Sequence, residues 1–339
     1  MKKIIILMGL FLIIKSSFAQ NSTGVTQVGT SSAAFLKIDV GARAMGMGGA
    51  YVAVATDATA IYWNPAGIAR VQSGEATLMH TNWLAGTNFD FGAIVVPLSF
   101  GSIGVSITSL TMGDMEVRTV EQPEGTGEFF SASDVAAGVS YALNLTDRFS
   151  IGFNAKYIRS TIFNESATSV AFDIGTLFTT ELNNMRIGVS LLNLGTDMRL
   201  NGRDLIILVD PAPQKDGSND RIVSKLQTDS FSLPLMLRVG VAMDFFKTEN
   251  NQLTLAIDGT NPSDGPEGVN LGAEYNLRNS VFFRAGYQSL FVDDAEQGIT
   301  AGVGFRLKLL EESRLRFDYA YADFGRFNNI QRFSITIEF

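Results

Sequence analysis

Side chains that could catalyse a reaction or bind a metal are scarce in this chain. Its 339 residues include one histidine, His80, and no cysteine. The lack of cysteine excludes thiolate nucleophiles, zinc–thiolate sites and iron–sulfur clusters, and a single histidine excludes a multi-histidine metal centre. His80 could complete a serine–histidine–acid arrangement. A lone histidine is more often a residue of an interface or, in a barrel such as the one predicted below, of the lumen. We therefore predict no enzyme, no catalytic residue, no metal and no cofactor.

Arginine is the other residue type here with a specific chemistry, because its guanidinium group binds carboxylates through two parallel hydrogen bonds. Arg238, Arg284 and Arg306 are candidates to bind the carboxylate headgroup of a ligand in a lumen. They belong to a set of charges of both signs, which also includes Asp90, spaced along the segments described below. The alternative role of this set is mutual ion pairing that holds an internal plug to a wall.

The overall charge argues against one class of partner. The chain has 26 Lys+Arg against 34 Asp+Glu and no basic run. Since phosphate neutralisation needs clustered cations, we expect no nucleic-acid binding.

The elements that would position these side chains show a period of two. In residues 299–308, Ile, Ala, Val, Phe and Leu alternate with Thr, Gly, Gly, Arg and Lys, and residues 332–339 follow the same rule. Such alternation places successive side chains on opposite faces of a strand. An apolar face opposite a face of glycine, small polar residues and charges favours a membrane barrel with a narrow lumen over a secreted β-sandwich. Several aromatic residues near segment ends, Phe89 among them, are predicted to form an interfacial girdle.

Fourteen segments follow this rule between residues 74 and 339, and an even number lets both ends of a barrel lie on one side of the membrane. Connections after even-numbered segments are short, whereas the long ones, 111–132 and 195–232, follow odd-numbered segments. We therefore predict an all-β, transmembrane antiparallel barrel. The predicted segments are 75–84, 88–98, 102–110, 133–143, 148–159, 168–179, 185–194, 233–245, 252–260, 268–277, 280–290, 297–308, 313–322 and 330–339.

The segment before the barrel, residues 20–73, carries the most specific motif. Residues 41–69 read GARAMGMGGAYVAVATDATAIYWNPAGIA. A dinucleotide-binding glycine loop does not fit, because no β-strand pattern precedes it and no βαβ unit follows. We predict a hatch, that is, a glycine-rich plug with short helices inside the lumen. The motif residues are Gly46, Gly48, Gly49, Asn64, Pro65, Ala66 and Gly67.

This motif resembles that of the FadL-like outer-membrane proteins, and more closely their PorV/PorQ branch. The resemblance implies an N-terminal hatch with an Asn-Pro-Ala motif followed by a fourteen-stranded barrel. It also implies an accessory role in type IX secretion, in which the PorV type escorts cargo bearing a C-terminal signal domain. The broader group consists of channels for hydrophobic compounds, and this remains the alternative function. The sequence does not separate a PorV-type from a PorQ-type member.

Both ends of the chain indicate export to the outer membrane. Two lysines, an apolar run at residues 4–14 and small residues at Ser17 and Ala19 predict a signal peptide, residues 1–19, cleaved after Ala19. The last strand ends in Phe339 and is similar to the signal read by the barrel-insertion machinery. We therefore expect outer-membrane lipid and that machinery as partners.

The long connection at 195–232 contains an apolar patch that includes Ile206, Ile207, Leu208 and Val209. On an exposed loop such a patch would contact a partner or ligand. If the loop folds into the barrel mouth, the patch would only cap it. The sequence leaves both alternatives open.

Overall fold

The computed structural model describes residues 27–215, 221–309 and 313–339, and the predicted signal peptide lies outside them. Fourteen antiparallel strands of this part of the chain pair with their sequence neighbours, and β1 pairs with β14, so the sheet closes into a barrel. The fold class is as predicted. The strands are β1 (Glu75–Asn82), β2 (Asn88–Leu98), β3 (Gly101–Thr111), β4 (Ala132–Thr146), β5 (Phe149–Ile162), β6 (Glu165–Thr179), β7 (Arg186–Gly195), β8 (Met236–Lys247), β9 (Asn251–Pro262), β10 (Gly268–Leu277), β11 (Val281–Leu290), β12 (Ile299–Lys308), β13 (Arg314–Asp323) and β14 (Asn329–Glu338).

Strand ends differ from the predicted limits where the backbone chemistry changes. β1 ends at Asn82, because a 3₁₀ turn at Leu84–Gly86 follows, in which Ala85 has a positive φ of 55°. β8 begins at Met236 and not at residue 233, since Pro234 has no N–H to donate to a neighbouring strand.

The two faces of the barrel wall have opposite chemistry. On β14, Phe333 and Ile335 point outward and are 55% and 44% exposed, whereas Arg332 and Thr336 point inward and are each 1% exposed. This pattern suits a wall with lipid outside and a filled, polar interior. Phe89 was wrongly predicted as part of the outer aromatic girdle, because it faces inward and is fully buried.

The barrel has two unlike rims. The turn rim holds the start of β1, the end of β14 and the short turns after even-numbered strands; the loop rim holds the connections after odd-numbered strands. Two short antiparallel pairings lie within the longest loop. One joins Met198–Arg199 to Ser230–Phe231, and the other is a hairpin of Ile206–Val209 and Ile222–Lys225. Within the described ranges, none of the helices has the length and hydropathy needed to cross a membrane.

Within the described part of the hatch, residues 27–73, the chain is exposed at 27–30 and is mostly buried inside the barrel from Phe35 onward. This part consists of α1 (Ala42–Gly46), α2 (Ala60–Trp63) and 3₁₀ turns at Ala34–Lys37 and Pro65–Arg70, and hydrogen-bonded turns make up much of the connection between α1 and α2. Tyr51 and Trp63 are at most 1% exposed, and the hatch bonds to strands on opposite sides of the bore. The hatch therefore provides most of the apolar core of the molecule.

Candidate functional site

Glycine allows the hatch backbone to touch the barrel wall. Gly48 and Gly49 have positive φ angles of 62° and 68°, which glycine adopts without steric cost. A Cβ on Gly48 would lie 2.6 Å from the carbonyl oxygen of Leu271. The turn after α1 thus needs glycine both for its conformation and for its contact with β10.

The Asn-Pro-Ala-Gly motif is a junction between two hatch turns and the wall. The Asn64 Oδ1 accepts from the backbone N–H of Ala66 at 3.2 Å and caps the next 3₁₀ turn, while Pro65 occupies its first position. The Asn64 Nδ2 donates to the carbonyls of Val52, 3.1 Å, and Thr176, 3.0 Å. A Cβ on Gly67 would lie 2.0 Å from the Ala55 carbonyl oxygen. The motif therefore fixes hatch to hatch and hatch to β6.

The wall carries glycine where the hatch comes closest. A Cβ on Gly286 would lie 2.2 Å from the Gly48 nitrogen, and one on Gly152 2.3 Å from the Pro65 carbonyl carbon. Gly175, Gly188 and Gly272 show the same close approach. The glycine-rich inner face thus accommodates the backbone of the hatch.

Charged side chains of the wall hold the hatch. The Asp258 Oδ2 accepts the backbone N–H groups of Tyr51, 2.7 Å, and Val52, 2.8 Å. Arg43 forms two bonds with Glu274, of 2.9 and 2.7 Å. These contacts supply the mutual pairing that the sequence offered as one role of the inward charges.

Asp57 is the meeting point of hatch and wall charges. Its Oδ2 accepts from Arg316 at 3.0 Å, from Arg43 at 3.2 Å and from the Tyr51 hydroxyl at 2.7 Å. Burial acts to raise the pKa of the Asp57 carboxyl, but Arg316 and Arg43 outweigh burial and hold that pKa well below its usual range. Asp57 is thus a fixed anion in the centre of the network.

The three candidate ligand-binding arginines do not form one site. Arg238 stacks on Trp63 and Tyr62, with its guanidinium carbon 4.4 and 5.2 Å from the ring centroids, and lies 3.6 Å from Asp39. Arg284 and Arg306 line a cavity near the turn rim, on the other side of the hatch. The sequence could not show this separation, because all three face inward on their strands.

A cavity of about 180 Å³ lies between the hatch and the loop rim. Trp83 and Phe324 form part of its apolar lining, and Arg332 and Asp39 supply charge. Arg332 is 1% exposed; its Nε donates to Thr81, and its Nη1 has no hydrogen-bond partner among the described residues. The sequence offered no signal that distinguished Arg332 from the other inward charges.

The apolar patch of the longest loop has one exposed side and one half-buried side. Ile206 and Leu208 are 51% and 61% exposed, and Val223 on the opposite strand of the hairpin is 70% exposed. Ile207 and Val209 alternate with them and are half-buried.

His80 and Asp90 lie on the outer face of β1 and β2. The His80 Nδ1 and the Asp90 Oδ1 are 2.6 Å apart, and both side chains are about half exposed. The placement of Asp90 in the lumen was wrong, because β2 directs its even-numbered residues outward. No cluster of three or more metal-binding side chains occurs in the ranges that the structure covers.

Comparison with known proteins adds a family and a fold. The model of the family described as type IX secretion system protein PorV matches residues 20–186. No curated protein matches the chain.

Three solved structures with the same architecture are distant in sequence. The toluene transporter TodX of Pseudomonas putida superposes with a TM-score of 0.55 at 13% identity, over 88% of this chain and 96% of that one. The Ralstonia pickettii toluene transporter TbuX superposes with a TM-score of 0.53 at 13% identity, over 88% of this chain and 97% of that one. A Pseudomonas aeruginosa FadL homologue superposes with a TM-score of 0.52 at 13% identity, over 87% of this chain and 96% of that one. At this identity the likeness shows a shared fold.

Proposed function

Because this chain belongs to the PorV family and has the fold of FadL-like outer-membrane barrels, we propose that it is a non-enzymatic accessory component of type IX protein secretion. It binds the secretion complex, or the C-terminal domain of its cargo, through the loop rim. The observation that carries the proposal is the family match, which spans the hatch and β1 to β6. The sequence resemblance to the PorV/PorQ branch, drawn from the hatch motif, agrees with that match.

The barrel architecture supports an orientation in the membrane with the loop rim on the outer side. Outer-membrane barrels have short periplasmic turns and longer outer loops. The turn rim, which holds the start of β1 and Phe339, then faces the periplasm, and the loop rim faces outward. The terminal strand, which the barrel-insertion machinery would read, ends at the periplasmic side.

The hairpin Ile206–Val209/Ile222–Lys225 is the surface best suited to a protein partner. It exposes Leu208 and Val223 together on the loop rim. A contiguous exposed apolar surface on a loop that faces solvent is typical of an interaction site. The candidate partner residues Ile206, Ile207, Leu208 and Val209 form one strand of this hairpin.

Affinity purification after mild detergent extraction tests the proposal. The tagged protein is expected to recover secretion components or exported proteins with C-terminal sorting domains, and L208D or V223D is expected to reduce that recovery about tenfold. V120D is the matched control, because Val120 is 95% exposed on the other long loop. Recovery of neither class of protein by the unaltered chain would contradict the proposal.

A second candidate function, a passive channel for hydrophobic small molecules, is favoured by the loop-rim cavity. Its apolar lining and the buried Arg332 suit an amphipathic ligand with a carboxylate. Such a channel would need a lateral gap in the wall, whereas all neighbouring strands are hydrogen-bonded, with a one-residue register shift between Phe172 and Ile174.

Uptake into liposomes separates the two functions. A channel is expected to admit hydrophobic small molecules faster when residues 45–69 of the hatch are deleted. If the deletion variant folds and gives no gain in permeability, the channel is contradicted and the secretion proposal is unaffected.

A further inference from the structure

A second cavity, of about 220 Å³, lies between the hatch and the turn rim. Several of its lining residues lie near the ends of strands, for example Arg186 at the start of β7 and Arg306 close to the end of β12. Five arginines contribute to its lining: Arg43, Arg186, Arg284, Arg306 and Arg316. The lining carboxylates are Asp57, Glu75 and Glu274.

The lining carboxylates are already engaged by protein groups. Glu274 accepts from Arg43 through both oxygens and from the Arg284 Nε at 2.7 Å. Asp57 accepts from Thr59 through Oδ1 and from three donors through Oδ2. Glu75 accepts the backbone N–H of Ala58 at 2.9 Å. Their acceptor capacity is therefore directed to holding the hatch.

Three arginines of the lining, in contrast, each have an N–H group without an acceptor in the part of the chain that the structure describes. Arg186 Nε, Arg284 Nη2 and Arg306 Nε are buried and have no hydrogen-bond partner among the described residues. The Arg284 side chain is fully buried. Arg186 also pairs with Asp244, Arg284 with Asp318 and Arg306 with Glu338. These three carboxylates do not belong to the lining of the cavity. The surplus hydrogen-bonding capacity of the cavity thus consists mainly of cationic N–H groups.

We infer that this cavity binds an oxyanion of the phosphate class from the periplasmic side. Three of the lining arginines, one each on β7, β11 and β12, have a buried guanidinium donor with no hydrogen-bond partner among the described residues. A tetrahedral phosphate offers acceptor oxygens in several directions, whereas a carboxylate offers two in one plane. The unpaired Asn276 Oδ1, also in the lining, can accept from the hydroxyl of a singly protonated phosphate. Free phosphate and a phosphorylated headgroup share this chemistry.

Calorimetric titration of the purified barrel with inorganic phosphate, in a neutral detergent and phosphate-free buffer, tests the inference. We expect saturable binding that weakens about tenfold or more in R186Q and in R306Q, because each loses a charge-assisted hydrogen bond. R306K keeps the charge but not the planar fork and is expected to weaken binding less. R148Q is the matched control, since Arg148 lies in a turn of the same rim and is half exposed.

The outcomes are distinct. Absence of saturable binding, or equal weakening in R148Q and R306Q, overturns the site. Acetate competing as well as phosphate overturns the phosphate class. Dibutyryl phosphatidic acid that binds with the same arginine dependence supports the site with a lipid headgroup as source, and binding of phosphate alone supports it with free phosphate as source. Electrophoretic heat-modifiability of each variant confirms that the barrel is folded.

Discussion

Arg43 in α1 of the hatch and Glu274 in β10 of the wall form a bidentate ion pair, with Nε–Oε2 and Nη2–Oε1 distances of 2.9 and 2.7 Å, across 231 residues of sequence. Both side chains are mostly buried. A paired and hydrogen-bonded charge of this kind is costly to separate. Buried ionic contacts, as well as apolar packing, therefore join the hatch to the barrel.

Removing one partner of this pair is expected to destabilise the protein. R43Q or E274Q should lower the free energy of unfolding by about 1.5–3 kcal/mol, because each removes the charge-assisted hydrogen bonds of a buried pair. The partner that remains keeps a second ionic contact, Glu274 with Arg284 and Arg43 with Asp57. Urea unfolding in detergent micelles measures the change. The double variant R43M/E274M should recover part of the loss, and R326Q, which removes an exposed pair with Glu296, should have no measurable effect. A loss in R326Q as large as in R43Q would contradict the explanation.

A methyl group at the contact between wall and hatch is expected to displace the hatch. G286A places a Cβ 2.2 Å from the Gly48 nitrogen and should cost about 1–3 kcal/mol through overpacking. G259A is the control, because the nearest atom to its Cβ would be 3.9 Å away. Limited proteolysis of the hatch and urea unfolding report the difference. Equal behaviour of the two variants would show that the close approach is not important.

The hatch is expected to withstand moderately acidic pH. A carboxyl group whose pKa is lower in the folded state stabilises that state above the unfolded pKa of about 3.9, and its contribution is lost as the pH falls through the folded pKa. For Asp57 the folded pKa lies well below the usual range. Hatch contacts should therefore persist from pH 7 to about pH 4 and loosen only at lower pH.

Trp63 provides the measurement for this pH dependence. It is buried in the hatch, and the chain has one other tryptophan, Trp83, so W83F isolates its fluorescence. Acrylamide should quench Trp63 weakly down to about pH 4. The additional change D57N should increase quenching already at pH 7. Quenching in W83F that rises between pH 7 and pH 5 would count against the role of Asp57.

On the outer apolar face, the cost of introducing a charged side chain is expected to increase with its depth in the bilayer. Ile335 lies in the middle of β14 and faces outward, so I335K should cost about 2–4 kcal/mol in a lipid bilayer. Asn329 starts the same strand on the same face at the loop rim, where N329K should cost about 0–1 kcal/mol. Folding yield into liposomes measures both. Comparable yields for the two variants would be inconsistent with a lipid-facing wall at Ile335.

The alternating pattern predicted the barrel and the orientation of most strands. It was correct for β14, where Ile335 faces outward and Arg332 inward, because orientation repeats every two residues and is local. It was wrong for Asp90 and Phe89, since the outward face of β2 near the loop rim is polar and its inward face is aromatic. Polar and apolar residues there exchange their usual sides, and a pattern of polarity cannot show this.

The sequence by itself determined the class of fold, the fourteen strands and the position of a glycine-rich hatch before them. These follow from period-two patterns and local motifs, which depend on residues close together in the chain. Only the tertiary structure decided that Arg238 lies apart from Arg284 and Arg306, that Asn64 bonds to β6, and that Gly286 meets Gly48. Those relationships depend on strand register around the closed barrel and on the path of the hatch across its bore, which bring together residues far apart in sequence.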